Sequence, residues 1–281
     1  MGSAPGRLVV VATPIGNLAD LSARAAAALR EADLVLAEDT RRARQLLSHL
    51  GLRGKRVERF DAAAERRGLE PHLARLRQGE VVALVADAGT PTISDPGAAL
   101  VRAAVAAGAV VTPVPGPCAV TAALAASGLA SGGFLFLGFL PRAGPGRRQA
   151  LDRIAATAEP VALFEAPQRL GATLAELAAR MPGREAVVAR ELTKVHEELL
   201  RGTLGELAAA HAGRRWQGEV TLVLGPQEPT PAPALGEAEL EARIAELRGR
   251  GMRAKDVAKA LAAEAGLGAA EIYARISRAR R

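Results

Sequence analysis

Short apolar runs broken by glycine, proline or charge alternate along this chain with segments whose apolar positions recur at helical spacing. Residues 7–13 (RLVVVAT), 33–37 (DLVLA), 55–60, 81–86 (VVALVA) and 109–114 predict strands. Between them, helices are predicted over 20–32 with Asp20 as its cap, from the charged run at 38–42 to Leu50, over 70–78, and over 98–107. Strands alternating with helices imply a parallel sheet covered on both faces, whose crossovers bring the strand carboxyl ends to one edge. Residues 7–116 therefore read as an N-terminal α/β domain with the loops after Thr13, Ala37, Ala86 and Val114 sharing that edge.

Past Cys118 the alternation continues with different punctuation. A helix rich in alanine runs to Ser127, 128–133 reads as flexible, and 134–140 (FLFLGFL) gathers three of the five phenylalanines. Pro141 to Arg148 reads as a basic loop. Strands follow at 161–164, 185–190 and 219–225, with a helix to Arg180 and a second helix to Ala210 opened by the capping-box pair Thr203 and Glu206. Residues 117–226 thus read as a second α/β domain with a mixed sheet. A proline-rich linker at 227–233 leads to a small basic helical domain, 234–281, with helices over 237–248, 254–265 and 269–280. Its Arg248, Arg250, Arg253, Lys255, Lys259, Arg275, Arg278, Arg280 and Arg281 suit either a phosphate-binding face or a solvated one.

The stretch 81–97, VVALVADAGTPTISDPG, organises the rest. A strand buried on both faces ends at Asp87, Gly89 permits close backbone approach, Pro91 and Pro96 stiffen the turn, and Asp95 stands where the next helix needs its cap. An ordinary connection of this kind takes about 2–6 residues, and a longer one at a strand's carboxyl end is where α/β proteins bind ligands.

Composition narrows the chemistry. At 49% hydrophobic and 2% aromatic, 281 residues can fill cores from Ala, Leu and Val but have few rings to stack on bases. One cysteine fits a reducing compartment, no apolar run would span a bilayer, and the start lacks a signal-peptide core, so a cytoplasmic protein is expected. The net charge of +7 favours a polyanionic partner, nucleic acid first. No GxGxxG, Walker A or GxSxG sequence is present, and His49, His72, His196 and His211 lack metal-ligand spacing, so no metal is expected. Small-residue loops beside carboxylates and cations suit group transfer from a cofactor that brings its own reactivity.

Six motifs in order, TPIGNLADLSARA from Thr13, AEDTR from Ala37, DAGTPTISDPG from Asp87, PGPCA from Pro115, GFLPR from Gly138 and ARELTK from Ala189, carry a family likeness. The chain resembles the ribosomal RNA small subunit methyltransferase I family, a branch of the tetrapyrrole-methylase fold class. That resemblance runs almost continuously over 7–225 and extends to the helical tail. It implies a homodimer that moves a methyl group from S-adenosyl-L-methionine to the ribose 2′-hydroxyl of a cytidine in the decoding region of 16S ribosomal RNA, with the cofactor between the two α/β domains. On the same resemblance Ile15 and Gly16 stand in the first cofactor loop, Asp87, Gly89 and Thr90 in the second, Cys118 and Ala119 in the third, and Glu165 begins the loop from the second domain. Tetrapyrrole methylases usually carry GxGPGD where this chain has TPIGN, which favours RNA over a corrinoid. Two other readings stay open: a precorrin-type tetrapyrrole methyltransferase, and an RNA-binding assembly factor without activity.

A ribose hydroxyl is a poor nucleophile until its proton is leaving, so a general base is expected. Asp39, Glu191 and Lys194 are candidates because each ends a strand at the shared edge, though each would equally serve as a cap or an ion-pair partner. Arg41, Arg42, Arg142, Arg147 and Arg148 are the candidate phosphate grips, or a solvated surface.

Overall fold

The computed structural model describes residues 5–130, 132–227, 237–265 and 267–278. Outside them fall residue 131 of the glycine-rich stretch, all of the proline-rich linker except Gln227, Gly266 in the expected turn, and Arg280 and Arg281. Contacts divide the chain into two compact units, 1–226 and 227–281.

The first half of the larger unit runs β1 (Arg7–Val11), α1 (Ala23–Glu31), β2 (Leu34–Ala37), α2 (Thr40–His49), β3 (Val57–Arg59), α3 (Ala62–Arg67), α4 (Glu70–Arg77), β4 (Val81–Val85), α5 (Ala98–Ala106) and β5 (Val110–Val114). Its strands form one parallel sheet in the order β3-β2-β4-β1-β5. β2 is buried along its whole length because helices cover both faces, which is why it reads as an unbroken apolar run. One face packs Val9, Val11, Leu29 and Leu47; the other packs Leu8, Leu36, Phe60 and Leu100.

The second half continues with α6 (Ala119–Ser127), β6 (Leu135–Phe139), α7 (Gly144–Ala156), β7 (Val161–Glu165), α8 (Pro167–Arg180), β8 (Glu185–Arg190), β9 (Glu198–Thr203), α9 (Leu204–Ala210) and β10 (Val220–Leu224). These strands make a mixed sheet, β6-β7-β10-β8-β9, in which only β6 and β7 pair in parallel. The central strand β10 is wholly buried, between a core built on Leu163, Leu170 and Leu222 and a smaller one where Val120 and Leu124 of α6 meet Val187 and Val223. The architecture is the expected one, two α/β sheets followed by C-terminal helices. In the separate unit, α10 (Glu237–Gly249), α11 (Ala254–Ala265) and α12 (Ala269–Arg278) enclose Leu240, Val257, Leu261, Ile272 and Ile276.

Several local expectations need correction. Asp20 does not cap α1: it closes a short 3-10 turn, and the Ser22 side chain accepts from the Ala25 N–H instead. Asp95 does not cap α5 either. The cap position is Gly97, at φ +126°, and the Glu65 carboxylate of α3 accepts from the N–H groups of Gly97 (3.2 Å) and Ala99 (2.9 Å). The helix α3 and the strand β9 were not expected. The supposed basic loop at 141–148 is half helix, because Gly144 and Pro145 open α7, where a proline's fixed φ and missing N–H are an advantage. The Thr203–Glu206 capping box forms as expected.

Candidate functional site

Four strand ends of the parallel sheet open into a cavity of about 530 Å³ whose opposite wall comes from the mixed sheet. The loops after β1 and β4 are fastened to each other: the Thr13 N–H donates to the Gly89 carbonyl (2.8 Å), the Gly89 N–H to the Thr13 carbonyl (3.0 Å), and the Thr13 hydroxyl to the Ala86 carbonyl (3.2 Å). Gly89 adopts φ +84°, and a Cβ on it would come within 3.3 Å of Ile15. The third loop joins through the Thr90 hydroxyl, which donates to the Pro117 carbonyl (3.1 Å).

Ile15, Asp87, Gly89, Thr90, Cys118 and Ala119 therefore lie together on the cavity wall. Across from them stand Phe164 to Gln168, Ala189, Leu192 and Gly218 to Thr221. Gly16 does not line the cavity; it is the contact point with the turn after β8, where a Cβ would sit 2.4 Å from the Lys194 side chain. Asn17 completes that contact by donating its N–H to the Thr193 hydroxyl (3.0 Å). The turn itself holds Glu191 at φ +52° and Thr193 at φ +66°, unusual for residues other than glycine and costly for a β-branched one.

At one end the lining turns polar, with Glu38, Arg42, Asp87 and Asp95. The Asp39 N–H donates to Asp87 Oδ1 (2.8 Å), and Arg42 lies 4.0 Å from Asp87. Burial and the neighbouring charges of Glu38 and Asp87 raise the Asp95 carboxyl to about 6. Glu38 is raised as well, by burial first and then by Asp87 and Asp61, against the pull of Arg59 and Arg42. Neither Glu38 nor Asp95 makes a hydrogen bond or ion pair among the described residues. Asp95 follows two further strained residues, Thr92 at φ +72° and Ser94 at φ +68°.

The rim is apolar. Ile93 is 38% exposed and Phe139 57% exposed, the latter 5.4 Å from Phe164 in ring-centroid distance. Strand alternation alone would put Phe139 on the core side with Leu135 and Leu137. Instead the β6–β7 register shifts between Phe136 and Phe139, with Gly138 at φ +61°, and the bulge turns Phe139 to the side of Phe136 and Phe164.

The three expected bases are placed elsewhere and are corrected here. Asp39 caps α2: it accepts from the Arg41 N–H (2.8 Å) and from its guanidinium (2.8 Å), and these bonds hold the carboxyl far below the usual range. The Glu191 carboxylate accepts from Lys194 (2.7 Å) and from the Glu219 N–H (2.9 Å), with the lysine bond the main cause of its lowered pKa. Burial pulls Lys194 down, but its bonds to Glu191 and Glu219 outweigh that and leave it raised, hence protonated. All three are structural groups at the cavity's margin.

Arg147 is also corrected. It is 7% exposed, and its guanidinium donates to Glu176 (2.9 Å), Thr173 (2.9 Å) and the Pro141 carbonyl (3.2 Å), facing Glu165 at 3.9 Å. Glu165 lines the cavity, but its carboxylate turns inward to Arg169, Thr173 (2.6 Å) and the Ala166 N–H (2.8 Å). Arg42, Arg142 and Arg148 are exposed; Arg41 is exposed too, though tied to Asp39. Sequence reasoning missed Asp95, Phe139 and Glu219. Asp95 carried a signal in its DPG turn but was assigned to the helix.

No group of His, Cys, Asp and Glu among the described residues is placed to hold a metal, and no helix among them is long and apolar enough to cross a membrane.

Comparison with known proteins places this arrangement. Residues 7–208 match the family model Tetrapyrrole (Corrin/Porphyrin) Methylases. The chain is 46% identical over 235 residues to ribosomal RNA small subunit methyltransferase I of Neisseria meningitidis serogroup A, covering 83% of this chain and 80% of that one. It is 43% identical over 280 residues to the protein of that name from Mycobacterium bovis, 98% of this chain and 96% of the other. Among solved structures, uroporphyrin-III C-methyltransferase from Thermus thermophilus, in complex with S-adenosyl homocysteine, superposes with a TM-score of 0.55 at 21% identity, over 78% of this chain and 97% of that one. The chain belongs to the tetrapyrrole methylase family, in the branch of ribosomal RNA small subunit methyltransferase I.

Proposed function

We propose that this enzyme methylates the ribose 2′-hydroxyl of a cytidine in the decoding region of 16S ribosomal RNA, in the small subunit, as a cytoplasmic homodimer. It is a methyltransferase, and its cofactor is S-adenosyl-L-methionine. When bound, that cofactor supplies an electrophilic methyl group on a positively charged sulfur. The cavity suits it. Its volume is within the range of small-molecule sites, and the small residues Ala88, Gly89, Ala119, Ala166, Ala189 and Gly218 keep side chains out of the space. A cradle of that kind binds through backbone groups. We assign the cofactor to Ile15, Gly89, Thr90, Cys118 and Ala119 on one wall and to the segment beginning at Glu165 on the other, with Asp87 at the boundary of the polar end and Gly16 acting through the loop behind Ile15.

The observation that carries the substrate reading is the open polar end. Glu38, Asp87 and Asp95 lie beside an exposed aromatic rim, a combination suited to a ribose and its base. Exposed Arg41, Arg42, Arg142 and Arg148 on the flanking segments would meet phosphates. The relatives' shared name points to the same substrate class. What the protein contributes is chiefly position: an in-line displacement requires the hydroxyl oxygen behind the methyl carbon, and such alignment is worth several kcal/mol.

The test is methyl transfer from labelled S-adenosylmethionine to intact small subunits, naked 16S RNA and a tetrapyrrole precursor in parallel, followed by mapping of the product. Label on one cytidine ribose is expected. Label on the tetrapyrrole, or on a base atom, would overturn the reading.

A further inference from the structure

We propose that Asp95 is the general base of the reaction, taking the proton of the ribose hydroxyl that receives the methyl group; this rests on the reading of the substrate given above. Among the carboxylates of the cavity, commitment separates the candidates. Asp87 is engaged by the Asp39 N–H and faces Arg42. Glu165 is enclosed by Arg169, Arg147 and Thr173, and Glu219 is paired with Lys194. Only Glu38 and Asp95 keep all their acceptor capacity among the described residues.

Asp95 is the better placed of the two. Its loop is fixed on one side by Thr92 and Ser94 in the left-handed region and on the other by Glu65, which holds the N–H groups of Gly97 and Ala99. Strain persists where surrounding structure over-determines it, and it gathers at functional sites. Glu65 also relieves Asp95 of the capping duty its position in the sequence suggests. The charged groups facing the Asp95 carboxylate are Glu38 from the end of β2 and Asp87 from the end of β4, with Arg42 of α2 across the same end of the cavity. Two like charges and partial burial make it more basic than a free carboxylate while leaving it ionised at neutral pH.

The step balances as a displacement. The hydroxyl oxygen forms the new bond to the methyl carbon, the carbon–sulfur bond breaks with its electron pair on sulfur, and the hydroxyl proton passes to Asp95. The products are the 2′-O-methyl ribose, neutral S-adenosylhomocysteine and a protonated carboxyl that returns its proton to solvent.

The experiment uses the full-length protein, small ribosomal subunits and labelled S-adenosylmethionine under single-turnover conditions between pH 5 and 9. The wild-type rate should rise with pH through an inflection near 6. Asp95→Asn should lower the rate roughly 100- to 10,000-fold and remove the inflection, while Glu38→Gln, by deleting a neighbouring negative charge, should move the inflection to lower pH. Calorimetric titration with S-adenosylhomocysteine should give Asp95→Asn an affinity within about threefold of wild type, since the backbone cradle is untouched. Unfolding supplies a readout independent of turnover. A carboxyl whose folded pKa is raised costs stability as pH rises above its unfolded value, so Asp95→Asn should melt higher than wild type at pH 8, with the gap closing toward pH 4. A variant retaining more than about a tenth of the rate, or melting lower than wild type at pH 8, would overturn the assignment. Product mapping on the wild type separates the two proposals: a ribose methyl with an active Asp95→Asn removes only the base, whereas a methyl elsewhere removes both.

Discussion

Replacing Arg147 by methionine removes a guanidinium from the interior of the second α/β layer while keeping most of its aliphatic stem. Three contacts are lost. The bond to Thr173 is buried, and that hydroxyl also donates to Glu165, so its loss leaves the buried carboxylate with Arg169 as its remaining cation. The bond to the Pro141 carbonyl fixes the chain where it enters α7. The bond to Glu176 counts for little because that side chain is 41% exposed. Breaking one arm of a buried, hydrogen-bonded ion network costs about 2–4 kcal/mol. For a domain of this size that corresponds to roughly 4–16 °C in melting temperature. Arg148, one residue on and exposed, should leave the melt within about 1 °C when changed to methionine. Thermal unfolding by circular dichroism, run beside small-subunit binding by filter retention, decides the matter. If Arg147→Met melted like wild type and lost binding, Arg147 would be a phosphate grip after all and the buried network would be wrong.

Gly218→Ala should weaken S-adenosylhomocysteine binding at least tenfold by calorimetry, because φ is +86° and the new Cβ would fall 2.3 Å from Glu191 Oε1, displacing the loop that carries Glu219. Phe139→Ala should raise the subunit concentration needed for half-maximal rate roughly 5- to 150-fold, as expected for one lost base-stacking contact, without changing cofactor affinity. Glu198 is held at about 2, below its ordinary 4.5, chiefly by Arg214 and also by Arg190. Its depressed folded pKa contributes stability above pH 4.5 that is lost as pH falls toward 2, so Glu198→Gln should flatten the acid limb of the unfolding curve there.

What the sequence disclosed was whatever is written locally. Buried strands such as β4 carry their own boundaries in apolar runs and turn residues, and the Thr203–Glu206 box needs only a span of three residues. The six ordered motifs disclosed the cofactor cradle for the same reason. Features assembled from distant residues were hidden. The cap of α5 comes from Glu65, which lies 34 residues before Ala99, so Asp95 looked like the natural cap and its freedom went unseen. Arg147 sits among glycines, proline and a second arginine, and nothing nearby reveals that Glu165 and Thr173 will enclose it. Asp39, Glu191 and Lys194 end strands at the expected edge, but being at an edge does not specify which partner a charge finds.

The bulge at Gly138 has a consequence for how this enzyme could diverge. A regular strand binds its residues into two alternating sets, so a change at any position is judged by the core on one side or by the partner layer on the other. One inserted residue uncouples position 139 from that bookkeeping: Leu135 and Leu137 remain answerable to the core, while the rim residue answers only to what enters the cavity. Tyrosine, tryptophan or histidine could be exchanged there with little effect on folding. Selectivity among nucleotides is therefore free to drift at a single codon, in a protein whose strands otherwise tolerate little.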